Sequence, residues 1–445
     1  MKKGSFLQGF LGSIVSSRSL FGDNNAKSSI EDLCKDLLSC RGEASVRRLA
    51  SAIFAKYLEM DVAQKVQFFH YLTDELDLEA DAVCQAATNY GNDKTPENLK
   101  SLLDVSEPPR QELLRRLNRI PGATHALVSM RADLLTCLRD APTLKRTDLD
   151  FEHLLASWFN RGFLELRRIS WESPANVLAK IIRYEAVHAI NDWNDLQRRL
   201  EPIDRRCFAF FHPTMPDEPL VFVEIALCKG TPGSVQSVLD EDREILNEKD
   251  ADTAVFYSIS NCQAGLRGVS FGNSLIKQVA NDLSAELPRM KTFVTLSPLP
   301  GLSPWVNGRP TDLPDEVTDD LIHVLSEPPD SPAPTDLTLH ANTLKIVAAT
   351  YLMRAKRPDG SPLDPVARFH LGNGASIHQL HAAADTSPKG RQQSLEVMVN
   401  YRYDMKRTEA RHEAFASDKT VHASKEIRVL ADAKPNRLFD IDNVG

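Results

Sequence analysis

The sequence predicts an α+β protein, built as a helical bundle followed by a domain that mixes helices and strands. Three observations lead there. The chain has 445 residues, too many for one ordinary hydrophobic core, so two domains are the natural division. Up to about residue 160, apolar residues recur at three- and four-residue spacing with no strand-like alternation. After about residue 200, short and almost continuously apolar runs take over, separated by turn residues. The domains are placed at 1–160 and 161–445.

In the first half, E-A-S-V-R-R-L-A-S-A-I-F-A-K-Y-L puts Val46, Leu49, Ile53 and Tyr57 on one stripe. D-V-A-Q-K-V-Q-F-F-H-Y-L-T-D-E-L repeats the pattern with Val62, Val66, Phe69 and Leu72. Such spacing marks amphipathic helices that bury one face. In T-P-E-N-L, Thr95 is the expected N-cap, Pro96 the first helical residue and Glu97 an acid in the first turn. No titratable cluster here suggests chemistry, and the expected role is packing and self-association.

In the second half, R-C-F-A-F-F-H-P reads as a strand. P-L-V-F-V-E-I-A-L-C is apolar nearly throughout, as expected of a strand covered on both faces. A-V-F-Y-S-I-S and T-F-V-T-L-S follow in the same style. N-S-L-I-K-Q-V-A-N-D-L-S-A-E-L reads as a helix with Leu275, Val279 and Leu283 inward. A-R-F-H-L-G-N-G-A-S-I-H reads as a hairpin turning at Gly372-Asn373-Gly374. Y-R-Y-D-M-K onward reads as helix, and the proline-rich stretch 326–335 as a surface loop.

Composition narrows the function classes. The chain is 42% hydrophobic and 26% charged, with a formal net charge of −8. It has no basic excess with which to neutralise a nucleic-acid backbone. A small phosphorylated ligand needs only a local basic patch and stays open. No apolar run reaches the roughly 18 residues that span a bilayer. The seven cysteines form no C-x-x-C pair and read as free thiols in a reducing compartment. The stretch 1–18 is basic, acid-free and serine-rich, but Gln8, Gly9 and Gly12 break its apolar run. It reads as a frayed or partly helical terminus on a cytoplasmic, bacterial-type protein. A targeting segment there would instead place the protein in an organelle matrix. The terminal D-N-V-G is not a peroxisomal S-K-L signal.

G-V-S-F-G, Gly268 to Gly272, fits the G-x-S-x-G of a serine-hydrolase nucleophile elbow. That elbow needs a strand running straight into its first glycine, yet Asn261 to Arg267 intervene after A-V-F-Y-S-I-S. The order strand, glycine-rich turn, helix suits an anion cradle better. Glycines let the backbone approach a ligand, and a helix start points N–H groups and a positive dipole end at it. The G-x-x-x-x-G-K-[ST] of nucleotide triphosphatases is absent. The turn resembles the Q/R-x-x-G-x-G/A pyrophosphate-binding turn of acetyl-CoA-dependent N-acetyltransferases. Arg267, Gly268, Val269, Ser270, Phe271 and Gly272 fill it, with Ser270 where a glycine is usual.

Longer stretches carry a more specific resemblance. Y-E-A-V-H-A-I-N-D-W-N-D-L-Q-R-R-L, H-P-x-x-P-x-E-P-L-V-F-V-E-I-A-L, F-Y-S-I-S-N-C-Q-A-G-L-R-G-V-S-F-G-N, T-L-S-P-L-P-G and D-P-V-A-R-F-H-L-G-N-G-A together resemble malonyl-CoA decarboxylases. They appear in that family's order, over about residues 165–405. The resemblance implies a helical domain that helps build a homodimer or homotetramer, and a catalytic domain resembling the GCN5-related N-acetyltransferase (GNAT) fold. It implies release of CO2 from malonyl-CoA to leave acetyl-CoA, without biotin, metal or organic cofactor. It puts malonyl-CoA binding on Arg267, Gly268, Val269, Ser270, Phe271, Gly272 and Asn273. It makes Ser297 the proton acceptor or carboxylate-handling group and His370 the proton donor.

These residue types suit the chemistry. Losing CO2 from a malonyl thioester leaves an enolate, so donors at the thioester oxygen lower the barrier. The carbanion then needs a proton, for which a histidine titrating near neutrality is suited. Ser297 stands at a strand end before Pro298, where a hydroxyl can be presented at a sheet edge, with no activating base visible beside it. His370 alternates with Phe369 and Leu371, which would face its ring away from them in a strand. His378 and His381 join His370 in number, but no Asp or Glu accompanies them at metal-ligand spacing. Glu224 sits in an apolar strand and needs a partner, either a structural cation or a group beside the site. Tyr401 and Tyr403 either line the pocket or pack. Two other functions remain open on this fold: acyl transfer from CoA to an amine, and non-catalytic acyl-CoA sensing.

Overall fold

The computed structural model describes residues 28–269, 275–313, 317, 322 and 336–432. The stretch 1–18 and the loop 326–335 lie outside them. Two compact units result, and they do not follow chain order. Among the described residues, one comprises 28–165, 211–220 and 263–269; the other comprises 166–210, 221–262 and the residues from 275 onward.

The first unit is helical. Its helices are α1 (Ile30–Ser39), α2 (Glu43–Glu59), α3 (Val62–Asp74), α4 (Ala80–Asn92), α5 (Pro96–Val105), α6 (Pro109–Leu117), α7 (Ala123–Cys137) and α8 (Lys145–Trp158). Val46, Leu49, Ile53 and Tyr57 are all buried on α2, as their spacing predicts. On α3 the stripe is rotated. Val62, the first helical residue after the Asp61 cap, is 75% exposed, and Phe68 is buried beside Phe69 and Leu72. Thr95 caps α5 by accepting from the Asn98 N–H, with Pro96 at its start. Met215, Leu220, Leu266 and Val269, from the two later segments, complete the core of this unit.

The second unit is an eight-stranded mixed sheet with helices. Its strands are β1 (Glu165–Ile169), β2 (Arg205–Phe211), β3 (Val221–Cys228), β4 (Thr253–Asn261), β5 (Thr292–Thr295), β6 (Ser297–Pro298), β7 (Ser376–His381) and β8 (Met398–Arg402). They lie in the order β1-β2-β3-β4-β5-β8-β6, with β7 also paired to β8. β4 and β5 run parallel, whereas β2–β3, β3–β4 and the three pairings of β8 run antiparallel. Val221 to Leu227 are buried without a break, which matches the continuous apolar run of β3. Leu275, Val279 and Leu283 face inward on α12 (Leu275–Glu286). Helical bundle first and mixed α+β sheet second is therefore the architecture the chain adopts.

Two sequence expectations fail here. The stretch around His370 is no hairpin: α15 (Pro365–Gly372) runs up to the turn, and β7 starts at Ser376. Asp364 caps that helix, accepting at 2.8 Å from the Ala367 N–H, and Pro365 fills its first position. The D-P pair is a helix start, and it outweighs the apparent alternation. Asn373 is the C-cap, and Gly374 follows with φ +81, where an added Cβ would meet the Thr408 carbonyl at 2.0 Å. Second, Y-R-Y-D-M-K does not open a helix. β8 ends at Arg402, and the next helix, α17, spans Thr408–Asp418. α13 (Leu302–Asn307), α14 (Ala341–Arg354), α16 (Pro388–Ser394) and α18 (Lys425–Ala431) complete this unit, with α9 (Ala175–Tyr184), α10 (Trp193–Leu200) and α11 (Val235–Leu239) earlier in the chain.

Candidate active site

Four elements of the sheet unit converge on one buried cluster. β5 delivers Thr295, and two residues later β6 delivers Ser297, paired with Val399 of β8. Alternation puts Thr295 and Ser297 on one face. β8 and its continuation supply Tyr401 and Tyr403 on a single face. Tyr403 is tied in by its N–H, which donates to the Phe293 carbonyl at 2.9 Å. α15 supplies His370. On a helix, neighbours diverge by about 100°, so His370 is 2% exposed while Phe369 is 44% exposed. Helical geometry, not strand alternation, separates the two rings.

The polar atoms form one chain. Ser297 Oγ donates to Thr295 Oγ1 at 2.8 Å. His370 Nε2 lies 3.2 Å from Ser297 Oγ, and His370 Nδ1 lies 2.9 Å from the Tyr403 hydroxyl. Ser297 has a single proton and gives it to Thr295. His370 must then carry its proton on Nε2 and donate it to Ser297 Oγ. Its bare Nδ1 accepts from the Tyr403 O–H. Thr295 is fixed in turn: its Oγ1 also accepts the Tyr401 N–H at 3.1 Å, and its carbonyl accepts from Asn400 Nδ2 at 2.7 Å. The Tyr401 ring stacks on His370 at 4.5 Å between centroids, with 24° between the planes.

Electrostatics sharpen this picture. Burial alone pushes His370 down to about 3, because removing water disfavours the charged imidazolium. The free site therefore holds a neutral imidazole, and not the histidine titrating near neutrality that the chemistry suggested. Burial also pushes Tyr403 and Tyr401 well above the ordinary phenol value, so both keep their protons. A base stands beside Ser297 after all, at 3.2 Å, although its proton points toward the serine.

Asp364 holds the two sides of the cluster together. Its carboxyl caps the helix bearing His370 and also accepts from the Gly301 N–H, in the segment that follows Ser297. The Tyr351 hydroxyl donates to it at 3.3 Å. An added Cβ on Gly301 would stand 2.1 Å from that hydroxyl.

The cradle residues divide. Ser270, Phe271, Gly272 and Asn273 lie outside the described residues. Arg267, Gly268 and Val269 belong to the helical unit. The turn rests on Arg131 of α7, which is buried. Its Nη1 donates to the carbonyls of Gly265 and Arg267 at 2.9 and 2.8 Å, and its Nε to Asp148 at 2.8 Å. A Cβ on Gly265 would lie 1.8 Å from the Val128 carbonyl, so only glycine allows this approach. Gly268 has φ +86, a left-handed conformation that favours glycine. The side chain of Arg267 is exposed, and Val269 is buried.

The remaining candidates are structural. Glu224 is fully buried, with Arg199 3.2 Å away, and Arg199 is shared with Asp195. Burial and the nearby Glu185 carboxylate push Glu224 up to about 8, outweighing Arg199. His381 Nε2 bonds Asn400 Oδ1 at 2.5 Å and so supports the Thr295 side of the cluster. Among the described residues no group of His, Cys, Asp and Glu side chains is arranged to hold a metal, and no helix is long and apolar enough to cross a membrane.

Comparison with known proteins decides the family. The profile of the malonyl-CoA decarboxylase C-terminal domain matches residues 162–439, and that of the N-terminal domain matches residues 77–159. The chain belongs to the malonyl-CoA decarboxylase family. It is 37% identical over 348 residues to the mitochondrial malonyl-CoA decarboxylase of Anser anser anser, covering 72% of this chain and 69% of that one. It is 35% identical to the enzyme of Rattus norvegicus, covering 73% and 71%. Solved structures of the family superpose over most of the chain. The protein from Rhodopseudomonas palustris gives a TM-score of 0.84 at 46% identity, covering 90% of this chain and 98% of that one. The protein from Agrobacterium vitis gives 0.83 at 46% identity, covering 91% and 100%. Within this family membership, sequence reasoning singled out Ser297 and His370, and the structure brings them together. It missed Thr295, Arg131 and Asp364. T-x-S at a strand end and D-P before F-H were the available signals for two of them. Arg131 carries no local signal, because the two carbonyls it holds in the turn lie more than 130 positions away.

Proposed function

We propose that this protein decarboxylates malonyl-CoA to acetyl-CoA and CO2, with Ser297 and His370 as its catalytic residues and no metal or organic cofactor. The observation that carries the reading is the directed chain Tyr403, His370, Ser297, Thr295, buried in a chain of this family. The bond from the malonyl Cα to the carboxylate breaks, and its electron pair stays on the thioester as an enolate. CO2 leaves, and Cα takes one proton.

A neutral imidazole is a poor acid, since giving up Nε2–H would leave an imidazolate. The substrate resolves this. Its carboxylate brings a negative charge into a water-poor site, and an opposite charge raises the proton affinity of the imidazole. His370 gains a proton in the complex and hands one to Cα as the enolate forms, while Tyr403 fixes its ring. Ser297 accepts from Nε2–H in the free protein and orients the malonyl group in the complex, a role that needs no alkoxide. The segment Arg267 to Asn273 binds the CoA pyrophosphate, a role supported by its sequence pattern, the exposed side chain of Arg267 and the left-handed φ of Gly268.

The test is CO2 and acetyl-CoA release from purified protein given malonyl-CoA alone, with chelator present. Equimolar release supports the reading, and tight binding without turnover would favour the sensor. Acyl transfer that requires an added amine would favour the transferase. Arg267→Ala is expected to raise KM for malonyl-CoA with kcat largely kept, and an unchanged KM would remove the cradle from the site. We further propose a homodimer or homotetramer built through the helical unit, checked by light scattering, and a cytoplasmic location.

A further inference from the structure

In the cluster around His370, nearly every donor is already committed. Tyr403 O–H goes to His370 Nδ1, His370 Nε2–H to Ser297 Oγ, and Ser297 O–H to Thr295 Oγ1. Asn400 Nδ2 is spent on the Thr295 carbonyl. Thr295 Oγ1 accepts two bonds and so has partners, although its own O–H is not spent; one hydroxyl of the cluster makes no bond of either kind. The hydroxyl of Tyr401 is buried, at 0% exposure for the residue, and among the described residues it has no hydrogen-bond partner. Its neighbours do not offer one: the Asp364 carboxyl is occupied by backbone N–H groups and by the Tyr351 hydroxyl. A buried hydroxyl without a partner costs stability, and such groups are rare in folded proteins. This one belongs to the ring stacked on His370 at 4.5 Å.

We propose that Tyr401 is a further catalytic residue, whose O–H donates to the thioester oxygen of malonyl-CoA as that oxygen gains charge. The inference rests on the decarboxylase reading given above. The choice of oxygen follows from differential binding. A donor held on the malonyl carboxylate would stabilise the charge that the reaction must disperse, and so slow it. A donor on the thioester oxygen finds its charge largest in the enolate and speeds the reaction. A neutral phenol suits the task, since it offers a proton without adding a charge to a water-poor site. The hydroxyl that weakens the empty fold thus acquires its partner when substrate arrives.

Tyr401→Phe tests this, because it deletes one oxygen and keeps the stacked ring. CO2 release is measured against malonyl-CoA concentration for the wild-type and variant full-length proteins, alongside their thermal midpoints. The expected result is a kcat lower by about 100- to 1000-fold, KM within about twofold, and a midpoint equal to or above that of the wild type. Unchanged kcat would overturn the proposal and assign the hydroxyl to a buried water. A raised KM with kcat retained would overturn it too, by placing the bond in the ground state. A lowered midpoint would show that the hydroxyl has a partner in the free protein, which removes the premise. Failure of the wild-type protein to release CO2 in the same assay would sink the decarboxylase reading instead.

Discussion

Burial without a compensating charge sets the protonation of His370, and this has a measurable consequence for stability. The imidazole is pushed from 6.5 down to about 3 in the fold, with desolvation as its sole cause. In the unfolded chain the same ring takes up a proton as pH falls through 6.5. Across that window the unfolded state binds more protons, so stability from this residue is complete above pH 6.5 and drains as the pH falls. The loss is about 1.4 kcal/mol per pH unit, so lowering the pH from 6.5 to about 4 removes on the order of 3 kcal/mol through this one ring. His370→Gln, close in size and unable to titrate, abolishes that contribution. Urea unfolding of both proteins is compared at several pH values from about 7 to about 4. His188, His212, His378, His381 and His422 are also pushed down by burial, but both proteins carry them and their effects cancel in the difference. The variant is expected to gain about 3 kcal/mol on the wild type between the two ends. Parallel stability curves would refute the claim that His370 is neutral in the fold. The catalytic counterpart has the opposite sense. If substrate loads the proton, kcat is full below the pKa of His370 in the complex and falls as the pH rises through it.

Ser297→Ala removes the acceptor of His370 Nε2–H, so the thermal midpoint should drop by a few degrees while CO2 release falls by at least about 100-fold; near-wild-type turnover would exclude Ser297 from the chemistry. Asp364→Ala uncaps the helix that carries His370 and should cost about 1 kcal/mol of stability along with most of kcat. Asp364→Ser, which still caps, should recover more activity than Ala, and equal losses in the two variants would deny the capping role. Gly265→Ala forces a Cβ against the Val128 carbonyl. It is expected to displace the turn ahead of Arg267 and to raise KM for malonyl-CoA severalfold, whereas an unchanged KM would separate that turn from CoA binding.

What the sequence made legible, and what it hid, follows the range of the interactions involved. The buried stripe of α2 and the doubly covered β3 were readable because burial imposes a local period on the chain. The helix around His370 was misread for an equally local reason. A-R-F-H-L-G-N-G-A offers alternation and a glycine-rich turn, and the deciding signal, Asp364-Pro365, sits just upstream of it. The choice of His370 as a site residue did not depend on its backbone, but its contacts do. On a strand its ring would have had cross-strand neighbours; on α15 it reaches Ser297 and Tyr403. Tyr401 and Tyr403 show the limit of sequence reasoning more sharply. Y-R-Y places both rings on one face of β8 and its continuation, yet nothing local says that one hydroxyl is spent on His370 and the other has no partner among the described residues. That difference arises only when β5, β8 and α15 pack together, and it divides a residue that holds the histidine from one that we assign to the substrate.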